Sequence, residues 1–487
     1  MSDRDLAERE ARAEEGGGRA RQDRQRRLGR MTARERIAAL IDENSFVEFG
    51  KHVLHRHEGE SDSLDANRHP GDGLVCGLAT IRNQTVALYA HDPTVLRGAL
   101  GHAASQKLCR LLDVARRRGH PVIALADCDG VRVEEGTDAI DAYGEVIRRT
   151  IDLKGRVPQI TLVCGLCVGA AAYNAALTDL TAMIAGQSYL FITGPKVTKV
   201  VTGEDVTLDD LGGPEMHARK TGAVHAVLAD EAEGIAWVKR ILDYLNNPRL
   251  DRAEDRDSKI AIPGDPRRAY DMRKVIEEIF DRDSITELTP RFGPNLLTAL
   301  ARLGGRSVAV VASQPLQLAG CLDVDASRKG AAFVTWAGQM KLPIVTLVDV
   351  PGYLPGRRQE EGGILPHGAT LLTAYGNAHV PMLCLVLRKS FGGASVLAFA
   401  SDIRLALPGS RIAPMGADAT IEVVLGPENP VASEEEKKAR ERERAAWLER
   451  HDHAWAAAET GYVDRVIAPE HARRELNAAL ARLESAR

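Results

Sequence analysis

The chain has 487 residues, of which 44% are apolar and 27% charged, and its 64 Lys and Arg against 68 Asp and Glu give a net charge of −4. These proportions are typical of a soluble globular protein, and they argue against a disordered or fibrous chain and against nucleic acid or an anionic membrane as the main partner. One hydrophobic core stops growing below this length, so two or three domains are expected.

The first thirty residues carry nine Arg and seven acidic side chains around a run of three glycines. They lack the apolar stretch of a secretory signal, and their acidic residues argue against an organelle transit peptide. We predict a charged, loosely helical lead-in over residues 1–30.

The next part of the chain shows short apolar segments alternating with a helical pattern. The predicted elements are a hairpin, a helix with its leucines on one face and a buried strand that ends at Asp127: residues 71–81 with 85–90, residues 103–118, and residues 121–126. Such alternation indicates βαβ units around a buried sheet.

Residues 157–178 carry no formal charge, and this uncharged stretch is long enough to suggest a membrane span. They contain Pro158, Gly165, Gly169 and Asn174, and they divide into a buried strand over 160–163, a glycine turn and a helix of small residues. We interpret them as a β-turn-α unit of the core, and we expect no membrane association.

The same elements return in the second half of the chain, which is the most informative feature of its organisation. Residues 343–349 repeat residues 121–127 at an offset of 222, and the turn Gly392-Gly393-Ala394 repeats Gly169-Ala170-Ala171 at an offset of 223. The second half predicts strands near 307–312 and 317–323, a helix over 327–341 and a strand over 343–348. The chain therefore contains two similar domains.

A Pro-rich and charged segment over residues 246–268 separates the halves and is typical of a linker. We predict a lead-in over 1–30 and domains over 31–255 and 256–487. Near the C-terminus, residues 433–455 are rich in Glu, Arg and Lys, and we interpret them as a solvated helix with i,i+4 charge pairs.

The repeated turn is a candidate for chemistry. A buried strand that runs through small residues into a helix leaves backbone N–H groups without intrahelical partners at the positive end of the helix dipole. Such groups can hold an oxyanion. The candidate donors are Gly169 and Ala170 in the first half and Gly393 and Ala394 in the second. One turn alone could be a packing device, but two at matched positions favour two polarised carbonyls at one site.

Side-chain machinery is harder to find. The sequence has no GxSxG, GxxxxGK[ST], HExxH or helix-opening GxGxxG pattern. Asp127 and Asp349 could be catalytic carboxylates or could only cap turns, and the Pro/Gly-rich loop over 349–356 could line a cleft at the strand ends. His55 and His57 are more typical of a surface loop than of a metal site, so we expect no metal.

The seven cysteines are odd in number and mostly lie in apolar segments. This indicates a reducing, cytoplasmic environment rather than a secreted disulfide framework. Cys164 and Cys167 form a single CxxC without a second pair, so we interpret them as small core residues rather than zinc ligands.

Several long motifs resemble the carboxyltransferase β subunit of biotin-dependent acyl-CoA carboxylases, of the propionyl-CoA and acetyl-CoA type. The resemblance covers roughly residues 31–487. Its motifs are TARERI at 32–37 with SFVE at 45–48, GDG at 71–73, FITGP at 191–195 with VTGE at 201–204, LGG at 211–213 with His217, GCLDVD at 320–325, IVTLVDVPG at 344–352, GGI at 362–364 with HGA at 367–369, Arg388-Lys389 before the second turn, and GYVDRVI at 461–467.

The resemblance implies an α/β fold of two tandem crotonase-like domains built from ββα units, assembled as a homohexamer with active sites between the N-domain of one protomer and the C-domain of another. It implies an acyl-CoA acceptor and a donor, N-carboxybiotin, on the carrier of a partner biotin carboxylase/biotin carrier subunit. Catalysis in this family is mainly electrostatic, with two pairs of backbone N–H groups holding the biotin carbonyl and the thioester enolate while the biotin nitrogen takes the α-proton. The chain has no Met-Lys-Met biotinylation site and no ATP-binding glycine signature, so we expect no covalently bound cofactor and a partner that supplies carboxybiotin.

The first half departs from the family pattern at the site. The family has Asp-Ser-Gly-Gly-Ala-Arg where this chain has Asp127-Cys128-Asp129-Gly130-Val131-Arg132, and Gly-Gly-Ala where it has Gly169-Ala170-Ala171. Alanine keeps the N–H donor at a negative φ but is strained at a positive φ, and a carboxylate at Asp129 should oppose an enolate. The second half keeps Gly392-Gly393-Ala394, with Val396 at the family position that lines the acyl pocket, which suits an aliphatic acyl chain.

Three hypotheses follow, and the first is preferred. The chain is a working carboxyltransferase whose acyl-CoA and carboxybiotin sites include Cys128, Asp129, Gly130, Val131, Gly392 and Val396. Alternatively, it is a biotin-independent acyl-CoA enzyme, such as a decarboxylase, with Cys128 or Asp129 recruited. The third possibility is a non-catalytic subunit that forms a hexamer around an inactive site.

Overall fold

The computed structural model describes residues 3–54, 68–246, 256–265, 267–427 and 432–485. Its chain divides into two compact units, Met1–Asn246 and Asn247–Arg487, which we call the N-terminal and C-terminal units. Each unit has its own sheet and its own hydrophobic core.

The N-terminal unit contains eight strands and ten α-helices in its described residues. The strands are β1 Val47–Glu48, β2 Leu74–Ile81, β3 Gln84–His91, β4 Val122–Cys128, β5 Gln159–Val168, β6 Leu180–Ile184, β7 Tyr189–Phe191 and β8 Ala226–Leu228. The helices are α1 Asp3–Glu14, α2 Arg19–Arg27, α3 Ala33–Leu40, α4 His102–Arg118, α5 Gly136–Leu153, α6 Ala170–Leu177, α7 Pro195–Thr202, α8 Leu208–Gly212, α9 Pro214–Met216 and α10 Glu231–Asn246.

The strands of this unit form one sheet in the order β1-β2-β3-β4-β5-β6-β8, and β7 pairs with the end of β5. The strands β1, β2 and β3 are antiparallel, and the others are parallel. Every residue of β4 and β6 is buried, because parallel strands are covered on both faces and therefore have nearly continuous apolar sequences. The predicted hairpin, helix and strand of this unit are confirmed.

The first thirty residues are helical and pack on the N-terminal unit. Ala13 of α1 is buried, and the N–H of Gly17 donates to Thr94 Oγ1 at 3.0 Å. A Cβ atom at Gly17 would lie 1.9 Å from the Thr94 carbonyl oxygen, so only glycine permits this approach. The glycine run between α1 and α2 therefore contacts the N-terminal unit at Thr94.

The C-terminal unit repeats this architecture, with eight strands and nine α-helices in its described residues. The strands are β9 Thr286–Leu288, β10 Leu296–Leu303, β11 Arg306–Ser313, β12 Ile344–Val350, β13 Met382–Phe391, β14 Ile403–Ala406, β15 Arg411–Ala413 and β16 Arg465–Val466. The helices are α11 Met272–Ile279, α12 Val324–Gln339, α13 Arg357–Glu361, α14 Ile364–Asn377, α15 Val396–Phe399, α16 Ala417–Leu425, α17 Glu434–His451, α18 Ala454–Glu459 and α19 Ala472–Ser485.

The sheet of the C-terminal unit has the order β9-β10-β11-β12-β13-β14-β16, and β15 pairs with β13. Each strand thus occupies the place of its counterpart in the first sheet. The duplication predicted from the offsets of 222 and 223 is confirmed at the level of topology.

The predicted strand over 317–323 is wrong. Residues Leu318–Gly320 form a 3-10 turn in which Leu318 and Ala319 have φ of 48° and 54°, a left-handed conformation that a strand cannot contain. The hairpin partner of β11 is β10, which precedes it. The apolar sequence around the turn reflects burial rather than strand formation.

Residues 157–178 form β5 and α6, as predicted. Among the helices of the described part of the chain, none is both long enough and apolar enough to cross a membrane.

The charged segment near the C-terminus forms α17, which Ser433 and Glu436 cap reciprocally and which buries no residue. Its ion pairs include two that are spaced i,i+3, between Glu434 and Lys437 and between Glu441 and Arg444. The prediction of a solvated helix is confirmed.

Part of the predicted linker over 246–268 falls on residues 247–255 and 266, which lie outside the described residues. Ser258 already belongs to the C-terminal unit, because it is buried and its N–H donates to the Glu470 carbonyl at 2.9 Å. Arg256 likewise donates to the Phe280 carbonyl at 2.8 Å.

Candidate active site

In each unit the central strand ends at a glycine with positive φ, immediately before a helical turn. Gly169 follows β5 with φ 59° and ψ −123°, and Gly392 follows β13 with φ 62°. A side chain at either position would be strained. We call these the N-terminal turn (Gly169-Ala170-Ala171) and the C-terminal turn (Gly392-Gly393-Ala394).

The N-terminal turn presents the amides of Ala170 and Ala171. The N–H of Gly169 donates to the Phe191 carbonyl at 3.0 Å and so extends the pairing of β5 with β7. Gly169, named as a donor from the sequence, is thus engaged in the sheet. No side chain caps α6, and the first N–H groups of a helix have no intrahelical acceptor, so the available donors begin at Ala170.

Ala170 replaces the second glycine of the family pattern without strain. It is the first residue of α6, and it is not among the non-glycine residues with positive φ. Its N–H is kept, and the change adds only a methyl group. The departure at this position therefore leaves the geometry of the turn intact.

The C-terminal turn begins with the 3-10 segment Gly392–Ser395, in which Ala394 is buried and Gly393 is exposed. A Cβ atom at Gly393 would lie 3.7 Å from the ring of Tyr353, an ordinary van der Waals contact. Ser390 Oγ donates to Ser395 Oγ at 3.1 Å, and Tyr462 Oη donates to the Ser395 carbonyl at 3.3 Å. These two hydrogen bonds fix the end of the 3-10 segment at Ser395.

Tyr353 is a residue of this site that the sequence reasoning did not single out. Its ring faces Gly393, and its buried hydroxyl has no hydrogen-bond partner among the described residues. Burial raises the pKa of this hydroxyl, so it remains a donor at neutral pH. The signal was present as an aromatic residue inside the Pro/Gly-rich loop over 349–356.

A cavity of about 710 Å³ adjoins the C-terminal turn. The residues that line it include Gly392, Ser395, Pro414, Trp447, Arg450 and Tyr462. Apolar walls with a few polar groups are typical of small-molecule sites.

The loops that follow β4 and β12 are held in the same way in the two units. Leu100 and Val131 form an isolated parallel bridge in the N-terminal unit, and Leu322 and Tyr353 form one in the C-terminal unit. The offset between the bridges is again 222. Val131 and Tyr353 are thus structural counterparts.

Asp127 and Asp349 serve as buried ion-pair partners. Arg36 Nη1 lies 3.0 Å from Asp127 Oδ2, and Arg388 Nε lies 3.0 Å from Asp349 Oδ2. Burial raises the pKa of both carboxyl groups, and the arginines oppose that rise. The side chains join β4 and β12 to neighbouring segments, so of the two predicted roles the structural one fits them.

Cys128 is a poor candidate for a nucleophile. Its side chain is completely buried, the N–H of Gly130 donates to its Sγ at 3.4 Å, and burial raises the pKa of the thiol to about 12. Since the thiolate is the reactive form, this thiol is inert at neutral pH. Cys164 and Cys167 are also fully buried, and all seven cysteines are free thiols.

Asp129 is paired with Arg97 Nε at 2.5 Å, so its carboxylate does not face the turn uncompensated. Gly130 has φ 90° and packs against the Val168 carbonyl, which a Cβ atom would approach to 2.9 Å. The loop over 128–131 therefore lies against the strand that leads into the N-terminal turn.

The side chains of three residues named in the sequence analysis are not described. His55 and His57 lie outside the described residues, and only the backbone of Val396 is described, as the first residue of α15. In the described parts of the chain, no group of three His, Cys, Asp or Glu side chains could hold a metal ion.

Comparison with known proteins gives one consistent result. The Carboxyl transferase domain family matches residues 24–487. The propionyl-CoA carboxylase beta chain of Roseobacter denitrificans is 40% identical over 99% of this chain and 96% of its own length. The mitochondrial propionyl-CoA carboxylase beta chain of Homo sapiens is 37% identical over 94% of this chain and 86% of its own length.

Among solved structures, transcarboxylase 12S with methylmalonyl-coenzyme A and methylmalonic acid bound superimposes with a TM-score of 0.92. It is 37% identical and covers 99% of this chain and 95% of its own, and it is described as a hexamer assembly in a multienzyme core. The predicted fold class, two tandem crotonase-like α/β domains, is confirmed.

Proposed function

The chain belongs to the carboxyl transferase family and is a carboxyltransferase of the propionyl-CoA carboxylase beta type, and from this membership we propose how its two turns divide the reaction. It transfers a carboxyl group to an acyl-CoA. We propose that the carboxyl donor is N-carboxybiotin on the carrier of a partner biotin carboxylase/biotin carrier subunit, and that the acceptor is a short aliphatic acyl-CoA such as propionyl-CoA.

The observation that carries this mechanism is the presence of two amide turns beside which the described carboxyl and thiol groups are not free to act as a base, while the hydroxyl of Tyr353 stays protonated. Asp127 and Asp349 are held in buried ion pairs, and the Cys128 thiol is protonated at neutral pH. Ala170 and Gly393, in contrast, begin helical turns whose N–H groups are available. A site that stabilises oxyanions and lacks its own base fits a reaction in which a substrate atom accepts the proton.

The chain's own residues then do two things. Each turn stabilises one carbonyl oxygen as negative charge develops on it, through the amides of Ala170 and Ala171 at one turn and of Gly393 and Ala394 at the other. One such donor lowers the activation free energy by on the order of 3 kcal/mol. One of these oxygens is that of the acyl-CoA enolate, and the other is the carbonyl of the donor. When bound, carboxybiotin supplies the carboxyl group and the acceptor for the α-proton.

The substrate-binding residues we propose line these turns. Gly130 contacts the carbonyl of Val168, which directly precedes the N-terminal turn, and Val131 pairs with Leu100. Cys128 and Asp129 precede them in the same loop. Gly392 and Ser395 border the cavity of the C-terminal unit, and Val396 directly follows Ser395 in sequence.

We propose a homohexamer, supported by the hexamer described for transcarboxylase 12S and by valines that α7 exposes to solvent. We also propose a cytoplasmic location, supported by seven free thiols. The buried and protonated thiol of Cys128 favours carboxyl transfer over a reaction with a recruited cysteine nucleophile.

The test is an assay of the purified protein with acetyl-, propionyl- and butyryl-CoA, with and without a carboxylated biotin carrier. We expect carboxylated product only when the carrier is present. Turnover of malonyl-CoA or methylmalonyl-CoA without any carrier would contradict the proposed donor and support a biotin-independent reaction.

A further inference from the structure

Arg97 and Asp129 form an ion pair that is reinforced by the backbone. Arg97 Nε lies 2.5 Å from Asp129 Oδ2, and the N–H of Asp129 donates to the Arg97 carbonyl at 3.2 Å. The hydrogen bond that Arg97 donates to the Asp129 carboxylate raises the pKa of the Arg97 guanidinium. The Asp129 side chain is 28% exposed and that of Arg97 69%, so the carboxylate is the more enclosed partner.

The backbone that carries Arg97 is firmly placed. Leu96, Arg97 and Gly98 have consecutive positive φ of 45°, 58° and 69°, a conformation that costs non-glycine residues free energy. A Cβ atom at Gly98 would lie 2.4 Å from the Asp127 carbonyl oxygen. The turn is therefore seated directly on the end of β4, and the Arg97 side chain starts from a fixed point beside Asp129.

The C-terminal unit has the same turn without the charges. Leu318, Ala319 and Gly320 repeat the three positive φ values, and a Cβ atom at Gly320 would lie 2.5 Å from the Asp349 carbonyl oxygen. At the offset of 222, Ala319 takes the place of Arg97 and Pro351 that of Asp129. The fold thus does not require the ion pair, because the duplicated turn forms without it.

The residues on either side of Asp129 lie against the last residues of β5, directly before the N-terminal turn. Its neighbour Cys128 pairs in register with Cys167 of β5, and its other neighbour, Gly130, contacts the Val168 carbonyl. Val168 directly precedes Gly169. A partly buried carboxylate at this place is only partly screened by solvent, and it would oppose negative charge on an oxygen held by Ala170.

We propose that Arg97 is a positioning residue that holds and neutralises Asp129, so that the N-terminal turn can stabilise an oxyanion despite the carboxylate beside it. The inference rests on the proposed function, since it assigns a charge-compensating pair to the same site. It also explains how the chain accommodates Asp129 where its family has glycine, a position at which Asp129 needs no positive φ.

The test is a cycle of four variants assayed for kcat and KM: Arg97→Ala, Asp129→Asn, the double variant and Arg97→Lys. Arg97→Ala leaves the carboxylate unpaired, so kcat should fall at least tenfold with a smaller change in KM. Asp129→Asn should stay within threefold of wild type. The double variant should recover to within threefold, and Arg97→Lys should retain most of the activity.

Arg148→Ala serves as the matched control, because Arg148 forms exposed ion pairs on α5 with Glu145 and Asp152. It should leave kcat unchanged. A double variant no more active than Arg97→Ala, or an Arg97→Ala variant with wild-type kcat, would overturn the inference.

The same variants separate this inference from the proposed function. If the wild type is active only without a carrier, the proposed carboxyl donor is wrong. The ranking of the variants in that reaction still tests the Arg97–Asp129 ion pair, because an oxyanion at the N-terminal turn meets the same carboxylate. A wild type inactive in both reactions would overturn both proposals.

Discussion

Gly393 and Ala170 occupy equivalent positions in the two turns, yet only Ala170 carries a methyl group. Neither has a positive φ, so the backbone accepts a side chain at both. At Gly393 the limit is set by the space in front of Tyr353, where a Cβ atom would be in contact at 3.7 Å. Substitution of Gly393 is therefore limited by the space in front of Tyr353 rather than by backbone strain.

We predict that Gly393→Val lowers kcat for carboxyl transfer about 100-fold, the order of effect of losing one oxyanion donor. Its branched methyl groups should fill the space in front of the amides while the exposed position leaves folding and assembly unaffected. Gly393→Ala is the matched control and should lose much less activity, because Ala170 is tolerated in the other turn. The measurement is steady-state kinetics together with the sedimentation coefficient. Unchanged turnover of Gly393→Val would remove the C-terminal turn from the mechanism.

Helices α4 and α12 are counterparts, and each carries a buried lysine at the offset of 222. Lys107 Nζ donates to the carbonyls of Gly71 and Leu74, at 3.1 and 2.5 Å. Lys329 Nζ has no hydrogen-bond partner among the described residues. Burial lowers the pKa of Lys329 to about 7, an effect that Glu287 opposes. One helix thus carries a satisfied ammonium group and the other an unsatisfied one.

We predict that Lys107→Met and Lys329→Met change stability in opposite directions. Lys107→Met leaves two carbonyls without a donor and should destabilise the protein by about 1–3 kcal/mol. Lys329→Met removes a buried, unpaired charge and should stabilise it by a similar amount at pH 6. The measurement is the thermal unfolding midpoint at fixed protein concentration.

The stabilising effect of Lys329→Met should depend on pH with a defined sign. Below pH 7 Lys329 is protonated in both folded and unfolded states, so the wild type bears the full cost of the buried charge. As pH rises above 7 the folded state releases its proton first, and the wild type recovers stability up to the unfolded pKa of about 10.4. The advantage of the variant should therefore shrink between pH 7 and 10. An advantage that stays constant with pH would contradict this account.

At the scale of the whole molecule, α7 and α16 are counterpart helices that expose apolar residues. Val200 and Val201 of α7 are 86% and 75% exposed, and Val423 of α16 is 73% exposed. Exposed apolar surface of this kind marks an interaction site. It agrees with the proposed homohexamer, in which copies of the chain would cover these helices.

We predict that Val200→Lys disrupts the hexamer and lowers activity together with it, because a charge would be buried in an apolar interface. Leu6→Lys on α1, another exposed apolar position, is the control and should assemble normally. The measurements are molar mass by light scattering and secondary structure by circular dichroism. A hexamer unchanged by Val200→Lys would exclude α7 from the assembly.

The sequence by itself determined the duplication, the strand-turn-helix units, and the glycines of the N-terminal and C-terminal turns. Apolar segments of fixed length and small residues at the turns are local features of the sequence, and the duplication follows because the same local pattern returns 222 and 223 residues later. Where a local conformation had no distinctive composition, as in the left-handed turn at Leu318, the same reasoning predicted a strand in error.

Only the tertiary structure decided how the site is charged. The N–H of Gly169 is engaged because β7 lies beside the end of β5, and Cys128 is inert because the core encloses it. Asp129 is neutralised by Arg97, 32 residues away in sequence. Burial and ion pairing depend on which segments pack together. Residues of the same type therefore differ in charge and reactivity according to their neighbours in the folded structure.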